Sequence, residues 1–162
     1  MKKTVEERVG KILTDKKLTI TTAESCTGGL VVSRLTDVSG SSAYVKQSFV
    51  TYANEAKIKY VNVEPSTLET FGAVSEQTVR EMAQGILSNT DADVALAISG
   101  IAGPNSDDTQ KPVGLVYICV GCGEKFLVKE HFAPKLERKE MKWHFSQVAL
   151  EFLEGCLIAN FL

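Results

Sequence analysis

The sequence predicts an α/β fold, a three-layer α/β/α sandwich around a mixed, mostly parallel sheet of about five strands. Three observations carry that expectation. Short β-branched runs alternate with segments whose apolar residues recur at helical spacing. The run Val94-Ala95-Leu96-Ala97-Ile98 is apolar throughout, as in a strand covered on both faces. Gly121-Cys122-Gly123-Glu124 joins two further strand-like runs and adds an antiparallel hairpin.

Taken in order, Val5, Val9, Ile12 and Leu13 form the apolar stripe of a first helix that ends near Lys16-Lys17. Leu18 to Ala23 reads as a strand, and Gly28-Gly29 as a turn opening into a helix over Leu30 to Leu35. Gly40-Ser41-Ser42 punctuates the chain before a β-rich run from Ser48 to Tyr52. Asn54 then suits the N-cap of a helix that begins Glu55-Ala56-Lys57-Ile58. Pro65 can open a short helix, and Ser75 can cap one in which Val79, Met82, Ala83, Ile86 and Leu87 share a face, stopping near Asn89. After Val94–Ile98 comes a breaker-rich loop, 100–112; Val113 to Cys122 and Phe126 to Phe132 are the hairpin strands. Trp143, Val148, Phe152 and Leu153 mark a closing helix.

Length and composition agree with one domain, residues 1–162: 44% of the residues are hydrophobic and 23% charged, with 18 basic against 20 acidic side chains. The resulting charge of −2 and the lack of a Lys/Arg cluster exclude backbone-driven binding of nucleic acid. No run approaches the roughly 20 apolar residues of a membrane span, and the start, Met1 to Glu7, has no apolar secretory core. Four cysteines in a chain of this length are expected to be reduced thiols, which points to the cytoplasm.

Ligands of open α/β sheets gather where strand ends meet helix starts. Three such junctions carry unusual polar residues: Glu24 to Gly29, Tyr52 to Lys57, and Ser99 to Pro104. In the first, Ser25 stands where a hydroxyl can be exposed beside free backbone N–H groups, as a nucleophile requires; equally, Ser25 or Thr27 can simply cap the helix. The histidines, His131 and His144, lie far along the chain from these junctions, so a lysine is the better base. With Asn54 as N-cap, Lys57 falls at the third helical position, where the helix dipole disfavours its ammonium; otherwise it is a solvated first-turn lysine. Tyr52 can donate a hydrogen bond to either, or sit in the core with its hydroxyl at the rim. Cys26 is a rival nucleophile, but neighbouring residues point in different directions, so only one of Ser25 and Cys26 is expected to face the pocket. A zinc site at Cys119 and Cys122 would need two further ligands in register, and the pair lies across a strand and a turn, so buried thiols are expected there and neither a metal nor a cofactor.

Ala23-Glu24-Ser25-Cys26-Thr27-Gly28-Gly29, Gly40-Ser41-Ser42-Ala43, Phe49-Val50-Thr51-Tyr52-x-Asn54-Glu55-Ala56-Lys57, Gly72-Ala73-Val74-Ser75-Glu76, Ser99-Gly100-Ile101-Ala102-Gly103-Pro104 and Lys111-Pro112-Val113-Gly114 together resemble the CinA C-terminal domain, the nicotinamide-nucleotide amidase family. The resemblance implies metal-free hydrolysis of the carboxamide of nicotinamide mononucleotide to nicotinate mononucleotide and ammonia, in pyridine nucleotide salvage. It makes Ser25 the nucleophile, Lys57 the general base and later proton donor, and Tyr52 an aid to orienting the pair. It assigns Glu24, Thr27, Gly28, Gly29, Ser42, Ser99, Gly100, Arg138 and Lys142 to the substrate, with N–H groups near Thr27 to Gly29 or Gly100 serving the oxyanion or phosphate. It further implies a homo-oligomer, for which the apolar end from Cys156 to Leu162 can supply an exposed patch or equally finish the core.

Two departures stand out. Where the family often continues Gly-Pro with more glycines, this chain has Asn105-Ser106-Asp107-Asp108-Thr109-Gln110, which adds two carboxylates near a phosphate-accepting site. Where the family commonly has two arginines four apart, Arg138 matches the first and Lys142 stands at the second, keeping the charge without the bidentate fork. The larger N-terminal domain of full-length CinA proteins is not in this sequence, which is expected to be a stand-alone amidase domain. A nucleotide-binding module without turnover and an amidase for a related amide are the competing readings.

Overall fold

A computed structural model describes residues 1–107 and 109–159. Asp108 and Asn160 to Leu162, singled out above, lie outside the described residues. Five strands, β1 (Ile20–Glu24), β2 (Val45–Val50), β3 (Val94–Gly100), β4 (Leu115–Cys122) and β5 (Lys125–Phe132), form one open sheet in the order β2-β1-β3-β4-β5. β1 runs parallel to both β2 and β3, whereas β3–β4 and β4–β5 are antiparallel. Four strands therefore share one direction and β4 opposes them, the mixed and mostly parallel sheet that the sequence predicts.

Six α-helices are present among the described residues: α1 (Val5–Lys16), α2 (Leu30–Thr36), α3 (Asn54–Val61), α4 (Pro65–Phe71), α5 (Glu76–Asn89) and α6 (Arg138–Ile158), with a short 3-10 turn at Ser41–Ala43. The alternation of side chains along the central strands sorts them into layers. Val94, Leu96 and Ile98 of β3 and Val116, Ile118 and Val120 of β4 pack with Val9 and Leu13 of α1, Val31 and Leu35 of α2, and Phe145, Leu150 and Leu153 of α6. Ala95 and Ala97 face the other way, with Cys119, and meet Val61 of α3 and Val79, Met82 and Ile86 of α5. Small residues on this second face let α5 approach closely.

The ends of these elements follow local chemistry. Thr4 and Glu7 close a reciprocal capping box on α1, and Ser75 caps α5 by accepting from the Thr78 N–H. One expectation fails at α3. Its N-cap is Ala53, which offers no side-chain acceptor, and Asn54 is already helical. Lys57 is thus the fourth helical residue, and its N–H is spent on the Ala53 carbonyl. No helix among the described residues is long and apolar enough to cross a membrane.

Candidate active site

The register of the parallel strands brings the three junctions together. Glu24 pairs with Val50 on one side and with Ile98 on the other. The ladder continues one residue beyond β1, because the Ser25 N–H donates to the Ile98 carbonyl at 3.1 Å and the Thr51 N–H donates to the Glu24 carbonyl at 2.9 Å. Ser25 is therefore held by main-chain bonds from a central strand rather than by a mobile loop.

Lys57 reaches back from α3 to this point. Its ammonium nitrogen lies 3.0 Å from Ser25 Oγ, 2.8 Å from the Thr51 carbonyl oxygen and 2.9 Å from the Tyr52 carbonyl oxygen, and only 1% of the residue is exposed. Two carbonyls can only accept, so they orient two N–H bonds, and the remaining tetrahedral direction of Nζ points at the serine oxygen. With Lys57 charged, that direction donates to Oγ. With Lys57 neutral, it is a lone pair that the serine O–H can enter. Burial favours the neutral form and pulls the lysine pKa down to about 8, the neighbouring Cys26 acting weakly against it. Desolvation, rather than the helix dipole invoked from an Asn54 cap, is the cause.

A cavity of about 250 Å³ opens above the pair. Its floor is buried and includes Ser25, Cys26, Lys57, Val74, Ser99, Ile101 and Ala102; exposed Tyr52, Asn105, Ser106, Asp107 and Arg138 line its mouth. Gly100 also lines it, and a Cβ there would lie 2.8 Å from the Leu115 carbonyl, so glycine is required for β3 and β4 to close beside the site. A larger hollow of about 810 Å³ opens at the opposite end of the sheet, among Leu18, Asp93, Cys122 and Phe126. Its thiol, Cys122, is pushed up by burial and by the neighbouring Asp93 carboxylate, which keeps it protonated and a poor nucleophile, so the chemistry is sought in the smaller cavity.

Several assigned residues have other surroundings. Glu24 is fully buried and lines no part of the cavity; its carboxylate accepts from Thr27 Oγ1 at 2.6 Å, the Val31 N–H at 2.8 Å and the Val32 N–H at 3.0 Å. The start of α2, expected to receive an oxyanion or phosphate, is thus already occupied by the protein's own anion. Thr27 is tied to that carboxylate, and the Gly28 N–H donates to the Ser25 carbonyl. Gly28 and Gly29 have φ of +62° and +100°, and serve the turn. Ser42 is exposed in the 3-10 turn, its carbonyl accepting from Lys46, away from the cavity. Lys142 also lies outside the lining; its ammonium sits over Gly28, where an added Cβ would come within 3.6 Å.

The Tyr52 hydroxyl does not meet the dyad. The residue is 60% exposed, and its hydroxyl accepts from an Arg138 guanidinium nitrogen at 3.1 Å, leaving its carbonyl as the contact with Lys57. Arg138 also donates to the Gly103 carbonyl, which spans the mouth from α6 to the 100–112 loop. Cys26 corrects a second expectation, because it lines the cavity together with Ser25. The chain leaves extended geometry after Glu24 and turns, so two consecutive residues face one space. Burial and Glu24 push the Cys26 thiol up to about 12, which keeps it protonated and a poor nucleophile. Cys119 and Cys122 leave opposite faces of β4 and cannot share a metal. His131 and His144 pair with each other at 3.0 Å.

Sequence reasoning missed the carbonyls of Thr51 and Tyr52, since main-chain acceptors leave no mark on residue type. It also missed Val74 and Ala73, which reach the cavity from the link between α4 and α5. Lys111 secures that link by donating to the carbonyls of Phe71 and Val74.

Comparison with known proteins agrees with this architecture. Residues 2–157 match the family model described as the CinA C-terminal domain. A CinA-like protein of Chloroherpeton thalassium is 47% identical over 160 residues, covering 96% of this chain and 38% of the relative. A CinA-like protein of Endomicrobium trichonymphae is 44% identical, covering 97% of this chain and 36% of its own. The chain thus spans a little over a third of the length of these relatives. Among solved structures, a competence-damaged protein (CinA) superfamily protein from Klebsiella pneumoniae superposes with a TM-score of 0.92 at 31% identity over 96% of both chains. A competence/damage inducible protein from Agrobacterium tumefaciens gives 0.87 at 41% identity, over 96% of this chain and 98% of its own. With the open mixed sheet, the buried serine and lysine and these matches in agreement, the chain belongs to the CinA C-terminal domain family.

Proposed function

We propose that this chain is a metal-independent amidohydrolase that converts nicotinamide mononucleotide to nicotinate mononucleotide and ammonia through an acyl-enzyme on Ser25. The observation that supports it is the 3.0 Å contact between Lys57 Nζ and Ser25 Oγ, with the lysine buried and its other N–H directions taken by carbonyls. Neutral Lys57 accepts the serine proton as Oγ attacks the carboxamide carbon. The ammonium so formed returns that proton to the departing amide nitrogen, which leaves as ammonia, and the nicotinoyl group remains as an ester on Ser25. Lys57, neutral again, takes a proton from water as the water oxygen attacks the ester. Collapse of that second intermediate releases the carboxylic acid, which gives its proton to solvent, and Ser25 Oγ recovers a proton from Lys57.

Because Glu24 fills the start of α2, the substrate phosphate falls to Arg138 at the mouth, the guanidinium whose two contacts are both with neutral groups. All four cysteines are free, in keeping with a cytoplasmic setting. The homo-oligomer belongs to the same reading and is read by sedimentation velocity. Ammonia release from nicotinamide mononucleotide, without added metal, tests the activity. The parent is expected to turn over, and Ser25→Ala and Lys57→Ala each to lose at least about 10³-fold. A parent that binds the nucleotide without releasing ammonia would move the reading to a binding module.

A further inference from the structure

The mouth of the cavity carries two opposite charges that do not neutralise each other. Arg138 and Asp107 both line it, yet no ion pair joins them among the described residues. Arg138 donates to the Gly103 carbonyl and the Tyr52 hydroxyl, both neutral. Asp107 accepts through Oδ1 from the Thr109 N–H at 2.9 Å and from the Thr109 hydroxyl, again neutral donors, and these bonds fix the carboxylate in a local turn. The only other basic group of the lining among the described residues, Lys57, is buried in the floor with its N–H directions committed. Among the described residues, a guanidinium and a carboxylate, each without a charged partner, thus face the cavity, and the other residues at its mouth are neutral.

An all-cationic mouth would suit any anion, whereas a mouth of mixed sign suits a ligand that itself carries both signs. Resting on the amidase reading above, we propose that Asp107 is a specificity-determining residue. It faces the ring cation of an N1-substituted pyridinium carboxamide, while Arg138 takes the anionic arm. The carboxylate that departs from the family's glycine-rich loop would then favour quaternised amides over neutral ones rather than merely repel phosphate. Both charges are exposed, so the expected preference is modest, about 3–10-fold, and it shrinks as salt is added.

The test compares parent and Asp107→Asn, which keeps the Oδ1 acceptor of the turn and removes only the charge. Two amides serve as substrates: nicotinamide mononucleotide and its reduced dihydropyridine form, which carries the same phosphate without the ring charge. Asp107→Asn is expected to lower kcat/KM for the cationic amide about 3–10-fold and to leave the reduced amide unchanged. An increase for both would show that the carboxylate opposes the phosphate, and an equal decrease for both would show a structural role; either overturns the proposal. A second arm needs no turnover. Binding of 1-methylnicotinamide and of neutral nicotinamide is followed by NMR titration of both proteins. Tighter binding of the cation by the parent, lost in Asp107→Asn, sustains the charge preference even if no ammonia is ever released. Equal binding of the two by the parent refutes it while leaving the amidase reading untouched.

Discussion

At the scale of the residue, two buried side chains decide the chemistry. Lys57 must be neutral to take a proton, and burial brings its pKa down to about 8. Below that value the ammonium dominates and cannot act as base; above it the amine is ready. Activity should therefore rise about tenfold per pH unit up to about pH 8 and level off beyond, leaving about a hundredth of the plateau at pH 6. A pH–rate profile of kcat/KM checks this, and a flat profile from pH 6 to 9 would remove Lys57 from the role of base. Glu24 matters differently, because it satisfies two main-chain N–H groups and one hydroxyl in the interior. Glu24→Ala leaves those donors unpaired and should cost about 2–4 kcal/mol, read as a fall in the denaturant midpoint. The Glu24 role was not open to inspection in the sequence, and Lys57 was read there as the base but from the helix dipole rather than from burial. The Ser25 and Lys57 types and their spacing were legible there, but the bond from Glu24 to α2 spans seven residues around a turn, and the carbonyls that aim Lys57 have no residue signature.

Among the elements, the placement of α3 is the sensitive feature, since it delivers Lys57. α3 packs against α5 at Gly85, where an added Cβ would sit 1.8 Å from the Val61 carbonyl oxygen. Gly85→Ala would gain about 1 kcal/mol of helix propensity in an exposed helix. Here the backbone clash outweighs it, and a net loss of about 2–3 kcal/mol is expected, together with reduced activity as α3 is pushed away from Ser25. Thermal unfolding and ammonia release from the same preparation test both effects. Most element identities were legible from periodicity, because β3 has residues of the core on both faces and α1 and α5 each bury one stripe. The start of α3 was misread by one position, since a good capping residue, Asn54, follows the residue that actually caps. Such shifts arise where tertiary bonds, here those to Thr51 and Tyr52, set the entry of the chain into the helix.

For the whole molecule, polar bonds as well as apolar packing hold the helical layers together. Arg34 of α2 is buried and donates to Ser146 and Gln147 of α6 and to Glu6 of α1, which ties the three helices of one layer together. The contact of β5 with α6 includes His131 and His144, whose ring nitrogens are 3.0 Å apart, so one ring must accept while the other donates. Burial and the His144 charge hold the His131 pKa below its usual 6.5. The unfolded chain then binds more protons on acidification, and stability should fall as the pH drops through 6.5 and below. Unfolding temperatures from pH 8 to pH 5 should show this loss in the parent and a smaller one in His131→Gln.

The central claim, covalent catalysis by Ser25, is tested most directly by the mass of the intact protein after rapid acid quench in the presence of nicotinamide mononucleotide. A parent population heavier by one substrate less one ammonia, mapped to the Ser25 peptide and missing from Ser25→Ala, is the predicted result. Steady ammonia release by a Ser25→Ala protein at the parent's rate, with no adduct in either, would contradict it.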